Sequence, residues 1–167
     1  MSVKRLAIIA MLTAMAIVLS ILESFIPMFI PGVKLGLANV IILIMLYEFK
    51  ISEALIVDIL RILVVAILRS TLLSPTFIMS LSGGVLSFVI MLIFSRIKVF
   101  SIIGVSVLGS ISHCFGQIIA AMLLLSSEAV VYYLPFIAIL SCATGVLCGL
   151  ITKLYLKRSI TSKFIEE

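Results

Sequence analysis

The sequence predicts an all-α, polytopic membrane protein of six transmembrane helices with both termini in the cytoplasm. Three observations carry this reading: the composition, the lengths of the apolar runs and the distribution of basic residues. Of 167 residues 64% are hydrophobic and 11% charged, and the mean hydropathy is +1.47. A soluble domain of this length has too few interior positions to hide so much apolar side chain. A bilayer accepts it, because lipid contact requires apolar surface. The net charge of +5 does not point to nucleic acid, since the basic residues sit in short clusters between apolar runs.

Spans are expected near 6–26, 34–48, 51–69, 77–95, 100–125 and 129–154, each bounded by residues that stop a helix or prefer water. Pro27, Pro31 and Gly32 break the first run from the second,. Glu48-Phe-Lys50 makes a tight turn, Arg69 and Ser74-Pro75 end the third run, Arg96 and Lys98 bracket the fourth connection, and Ser126-Ser-Glu128 forms the fifth. Pro135, inside the sixth run, predicts a kink or a late helix start. Met1-Ser-Val-Lys-Arg before an apolar run has the layout of a signal peptide, but the run continues to about Leu22 without a small-x-small site. It reads as a retained first helix. The domain reading is one six-helix unit over 1–156 and a cytoplasmic interfacial tail over 157–167, where Ile160, Phe164 and Ile165 mix with basic residues,.

Orientation follows from lysine and arginine. With the N-terminus inside, Lys4, Arg5, Lys50, Arg96, Lys98, Lys153, Lys157, Arg158 and Lys163 are cytoplasmic. Only Lys34 and Arg69 are outside, and Arg61 lies within a span. This places the chain as a multi-pass protein of the plasma membrane, in contact with the lipid bilayer.

Ionisable groups inside a bilayer are costly, so each needs an explanation. Asp58 and Arg61 are three apart on one helical face and can pair, either as a structural ion pair or within a transport or binding site. Glu53, near the cytoplasmic end, can reach water or Lys50. A second group gathers in the outer half: Glu23, Lys34, Asn39 and Arg69, joined by Ser80, Ser82, Gly83 and Gly84 near the outward end of the fourth span. The glycine pair allows close backbone approach, and a helix N-terminus favours anions. His113 and Gln117 share a face of the fifth span, about 20 Å above its inner end at roughly 1.5 Å per residue. A lone membrane histidine is either a packing residue or a ligand contact. With Lys34 and Arg69 nearby, the second reading implies a small polar or anionic solute.

Small residues form stripes that let membrane helices approach closely. They are Ala7, Ala10 and Ala14 in the first span, Gly104, Gly109, Gly116 and Ala120 in the fifth, and Ala138, Cys142, Gly145 and Gly149 in the sixth. The stripe on the first span suits either internal packing or a partner subunit. Cys114, Cys142 and Cys148 lie in apolar runs with no CxxC, so neither a disulfide framework nor a metal site is expected.

Pro31-Gly-Val-Lys-Leu-Gly-Leu-Ala-Asn39, Arg61, Ser80-Leu-Ser-Gly-Gly84 and His113-Cys-Phe-Gly-Gln117 resemble, in that order, the membrane family of heptaprenyl diphosphate synthase component I, also called the Gx transporter family. Family members carry His-Asn-x-Gly-Gln, and here Cys114 follows the histidine. The family is in turn similar to S components of energy-coupling factor transporters. That resemblance implies an S-component-like bundle that captures a solute outside and works with a transmembrane T component and ATPase subunits. It also implies a lid over Ile26 to Lys34 and a docking surface at Ala10-Met-Leu-Thr-Ala14. The family name implies instead a non-catalytic membrane partner of a soluble prenyltransferase in heptaprenyl diphosphate and quinone synthesis. The chain itself is not expected to be an enzyme. Prenyl transfer needs paired acidic clusters to hold magnesium pyrophosphate, and the only adjacent acidic pair is Glu166-Glu167. No Walker A motif and no Ser/His/Asp set is present, and no cofactor motif is visible.

Overall fold

A computed structural model describes residues 3–26, 33–126 and 128–158. Among them there are helices and no strand: α1 (Val3–Glu23), α2 (Asn39–Glu48), α3 (Ile51–Leu68), α4 (Pro75–Ser95), α5 (Ile102–Leu125), a 3₁₀ segment (Glu128–Tyr133) and α6 (Leu134–Arg158). Four stretches are long and apolar enough to cross a membrane: Val3–Glu23, Pro75–Ser95, Ile102–Leu125 and Val130–Arg158. With α3 carrying Glu53, Asp58 and Arg61, and α2 only 10 residues long, the all-helical membrane class stands on these four. The tail expected over 157–167 lies outside the described residues from 159 onward, as do residues 27–32 of the expected lid.

Each boundary has a local cause. Pro75 sits in the first turn of α4, where its missing N–H has no helical partner to lose,. Ser101 caps α5 by accepting the Gly104 N–H at 3.1 Å,. Ser126 closes α5 in the left-handed conformation,. The sixth span begins late, as Pro135 predicted: a 3₁₀ segment precedes α6, and the proline falls in its first turn. At the N-terminal end of α3, Glu53 accepts the Lys50 N–H at 3.0 Å and the Arg5 guanidinium at 2.7 Å. Arg5 also lies over the Phe49 ring, 5.7 Å from its centre. This ties the start of α1 to the α2–α3 turn.

The largest departure from the sequence reading is the second span. A helix was expected from residue 34, but α2 starts at Asn39, and Val33–Ala38 is irregular. Gly36 adopts φ +84°, a left-handed conformation no helix accommodates,. α2 itself is sheathed by the other helices, with every residue from Asn39 to Leu46 buried.

The most extensive packing joins α4 to α5 and α5 to α6, and small residues make it possible. A Cβ on Gly116 would stand 2.8 Å from the Ser82 carbonyl oxygen and 2.9 Å from Gly83 Cα. A Cβ on Gly145 would meet Val107 Cα at 2.8 Å, and one on Gly149 would meet Ile103 Cα at 2.7 Å. The glycines at 109, 116, 145 and 149 therefore pack inward, while Gly104, Ala138 and Cys142 are only half-buried. On α1 the alanines behave differently. Ala7, Ala10 and Ala14 are all exposed, opposite the buried face of Leu12, Thr13, Ala16, Ser20 and Glu23. Cys114, Cys142 and Cys148 are free thiols.

Candidate functional site

Six helices and the Val33–Ala38 segment bring buried polar side chains to one region. Arg61 on α3 is the hub. Its Nε donates to Asp58 Oδ1 at 2.8 Å, and Nη2 stands 2.7 Å from the same oxygen in an ion pair, which makes the predicted i,i+3 pair. Nη1 reaches Ser20 Oγ on α1 and Nη2 reaches Asn39 Oδ1 on α2, both at 3.2 Å. Asn39 Nδ2 in turn donates to Ser87 Oγ on α4 at 2.9 Å. Every member of this chain is 4% exposed or less. A charge so enclosed is tolerable only because its donors are matched.

The Val33–Ala38 segment closes one side of this network. Glu23 Oε1, at the end of α1, accepts the Gly36 N–H and the Leu37 N–H, the latter at 3.2 Å. Gln117 Oε1 on α5 accepts the Lys34 N–H at 2.8 Å, and Gln117 Nε2 faces His113 Nε2 at 2.7 Å. From α6, Thr144 Oγ1 is shared between the Leu35 carbonyl at 3.2 Å and the Ser141 carbonyl at 3.0 Å. Cys148 Sγ reaches the Leu37 carbonyl at 3.7 Å, and Thr152 Oγ1 the Val40 carbonyl at 3.5 Å. A buried irregular segment is tolerable only when protein satisfies its backbone in this way.

Lys34 is half-buried in this connecting segment, outside every helix, and among the described residues its ammonium makes no ion pair or hydrogen bond. Burial lowers its pKa to about 8, against the opposing pull of Glu23,. It is the cation the site leaves available.

The other expected residues divide. Gly83 packs on α5, where a Cβ would stand 2.7 Å from Gln117 Cγ and 2.8 Å from the His113 carbonyl oxygen. Gly84 faces α3, where a Cβ would meet Ile62 Cδ1 at 2.6 Å and Asp58 Oδ2 at 3.7 Å. The glycine pair thus lets α4 sit tightly between its neighbours. The stretch lies beyond the first turn of α4, so its N–H groups are in helical bonds and offer no anion site. Ser80 Oγ bonds the Thr76 carbonyl of its own helix at 2.8 Å, and Ser82 Oγ bonds the Gly116 carbonyl. Both hydroxyls serve packing. Arg69 is exposed at the rim, donating to the Ser24 carbonyl at 3.2 Å with its guanidinium 5.5 Å from the Phe25 ring centre. The structure adds residues the sequence reading did not select: Ser20, Ser87, Thr144, Cys148 and Thr152. It also joins Asp58 and Arg61 to the outer group through Asn39.

Gly36 is indispensable to this geometry. Beyond its φ, a Cβ there would stand 2.9 Å from Asn39 Nδ2. Gly36→Ala is expected to destabilise the protein by about 1–2 kcal/mol. The loss is to be read as a lower melting midpoint in detergent.

A family model described as Heptaprenyl diphosphate synthase component I matches residues 12–155. Searches against curated proteins and against solved structures found no match.

Proposed function

The chain belongs to the heptaprenyl diphosphate synthase component I family, and from that premise we propose that it is a membrane-embedded solute-binding subunit of S-component type. It captures a small polar or anionic solute from the outer side and couples to partner subunits through the inner half of α1. The supporting observation is the convergence of buried polar groups around an irregular segment that presents a half-buried, unpaired Lys34 ammonium. Apolar packing alone would not require so many matched polar groups at this depth. Six spans, with both termini cytoplasmic and the protein in the plasma membrane, complete the reading. In it, Lys34 and the rim Arg69 attract the solute, and Asn39, His113 and Gln117 contact or shape its site. The exposed Ala7, Ala10 and Ala14 face a transmembrane T component associated with ATPase subunits, because small residues allow close helix approach.

Native mass spectrometry of the protein purified from its own membranes tests this reading, showing a retained small molecule together with any subunit. Lys34→Met is expected to weaken solute binding roughly tenfold or more, the scale of a lost charged hydrogen bond. For an anionic solute, wild-type affinity should fall as pH rises through about 8, where Lys34 loses its proton,. Combined alanine substitution of Lys34, Asn39, Arg69, His113 and Gln117 with uptake intact would rule the site out.

The family description favours a second reading, a non-catalytic membrane component of heptaprenyl diphosphate or quinone synthesis. It predicts co-purification with a soluble prenyltransferase and an altered quinone chain length on deletion.

A further inference from the structure

The two ends of the Gln117 side chain are fixed by different partners. A backbone N–H can only donate, so the Gln117 atom facing Lys34 N at 2.8 Å is the carbonyl oxygen,. The other end is then the amide nitrogen, which can only donate and which faces His113 Nε2 at 2.7 Å,. His113 Nε2 therefore accepts, and the neutral ring carries its proton on Nδ1. The ring edge packs against Gly83, whose backbone is the ring's other polar neighbour.

The same short stretch is gripped from two other sides. Glu23 takes the N–H groups of Gly36 and Leu37, and α6 supplies Thr144 and Cys148 to the carbonyls of Leu35 and Leu37. Over Lys34–Leu37, three N–H groups and two carbonyls are met by side chains from α1, α5 and α6. Lys34 has no other described anchor. The clamped backbone fixes the root of its side chain.

We propose that Gln117, Glu23, Thr144 and Cys148 are positioning residues that clamp the Lys34–Leu37 backbone and thereby fix the point from which the Lys34 side chain extends, with His113 holding the amide end of Gln117. The importance of the clamp for solute rests on the binding reading above; the clamp itself does not.

Hydrogen–deuterium exchange of the full chain in nanodiscs, read on peptides spanning 33–38, tests it without any ligand. Gln117→Leu and the near-isosteric Thr144→Val are each expected to speed exchange of the 34–37 amides about fivefold, the scale of one lost hydrogen bond. Gln117→Glu should keep exchange slow. Its carboxylate still accepts from Lys34, and His113 can donate to it by moving its ring proton from Nδ1 to Nε2. Thr152→Val removes a hydroxyl that serves Val40, inside α2, and should leave the 34–37 amides unchanged. Wild-type exchange in both Gln117→Leu and Thr144→Val would overturn the proposal. So would equal acceleration in Thr152→Val or Gln117→Glu, which would mark general loosening. Accelerated exchange in the clamp variants with undiminished solute uptake would uphold the clamp and sink the binding reading.

Discussion

Arg61→Met is expected to destabilise the protein by about 3–5 kcal/mol, the range for breaking a buried ion pair from one side. The methionine fills much of the arginine's volume, so the effect is electrostatic. Asp58, 2% exposed, is left charged without its guanidinium, and Ser20 Oγ and Asn39 Oδ1 each lose a donor. Asp58→Leu added to Arg61→Met removes the stranded charge and should recover a large part of the loss, because replacing both members of a buried pair is far milder than removing one. The melt can be followed by thiol labelling, since Cys114 and Cys148 are buried until the fold opens. A single-variant midpoint equal to wild type, or a double variant worse than the single, would show that the pair is not the hub described.

Gly116→Ala is expected to be the next most damaging single change, at about 1–3 kcal/mol for overpacking a closed interface. One methyl group suffices because its neighbours are backbone: the Ser82 carbonyl oxygen at 2.8 Å and Gly83 Cα at 2.9 Å. Neither can rotate away, so α4 and α5 must part. Parting them disturbs the Ser82–Gly116 hydrogen bond and lifts Gly83 off Gln117. Gly104→Ala is the matched control on the same helix. Its Cβ would meet nothing closer than Ser101 Oγ at 3.5 Å, so only the gain in helix propensity remains, about 0.5–1 kcal/mol in favour. Equal melting points for the two variants would contradict the close α4–α5 approach.

Much of this was legible in the sequence, for physical reasons. Lipid solubility leaves a compositional mark, so the helical class and most boundaries could be read from apolar runs and from Pro75, Ser126 and Pro135. The Asp58–Arg61 pair was legible because three residues on one helix fix its geometry locally. The start of α2 was not. Lys34 to Ala38 is apolar enough to extend a helix, and what prevents it is contact with Gln117 and Thr144, 83 and 109 residues further along the chain. Long-range hydrogen bonds of this kind leave no local pattern. Thr144, Cys148 and Thr152 do leave one, since a spacing of four places them on one helical face. Gly145 and Gly149 lie beside them, and their small-residue pattern is also that of plain close packing.

The reach between the Val33–Ala38 backbone and α6 also sets a timetable for biogenesis. Thr144 follows Leu35 by 109 residues, so the Leu35 carbonyl enters the membrane long before its partner exists. At typical synthesis rates of about 5–20 residues per second, the wait is roughly 5–20 seconds. During that interval the segment must keep water or interim partners. Of the described helices, α6 is made last, and it is the one that lets the segment settle.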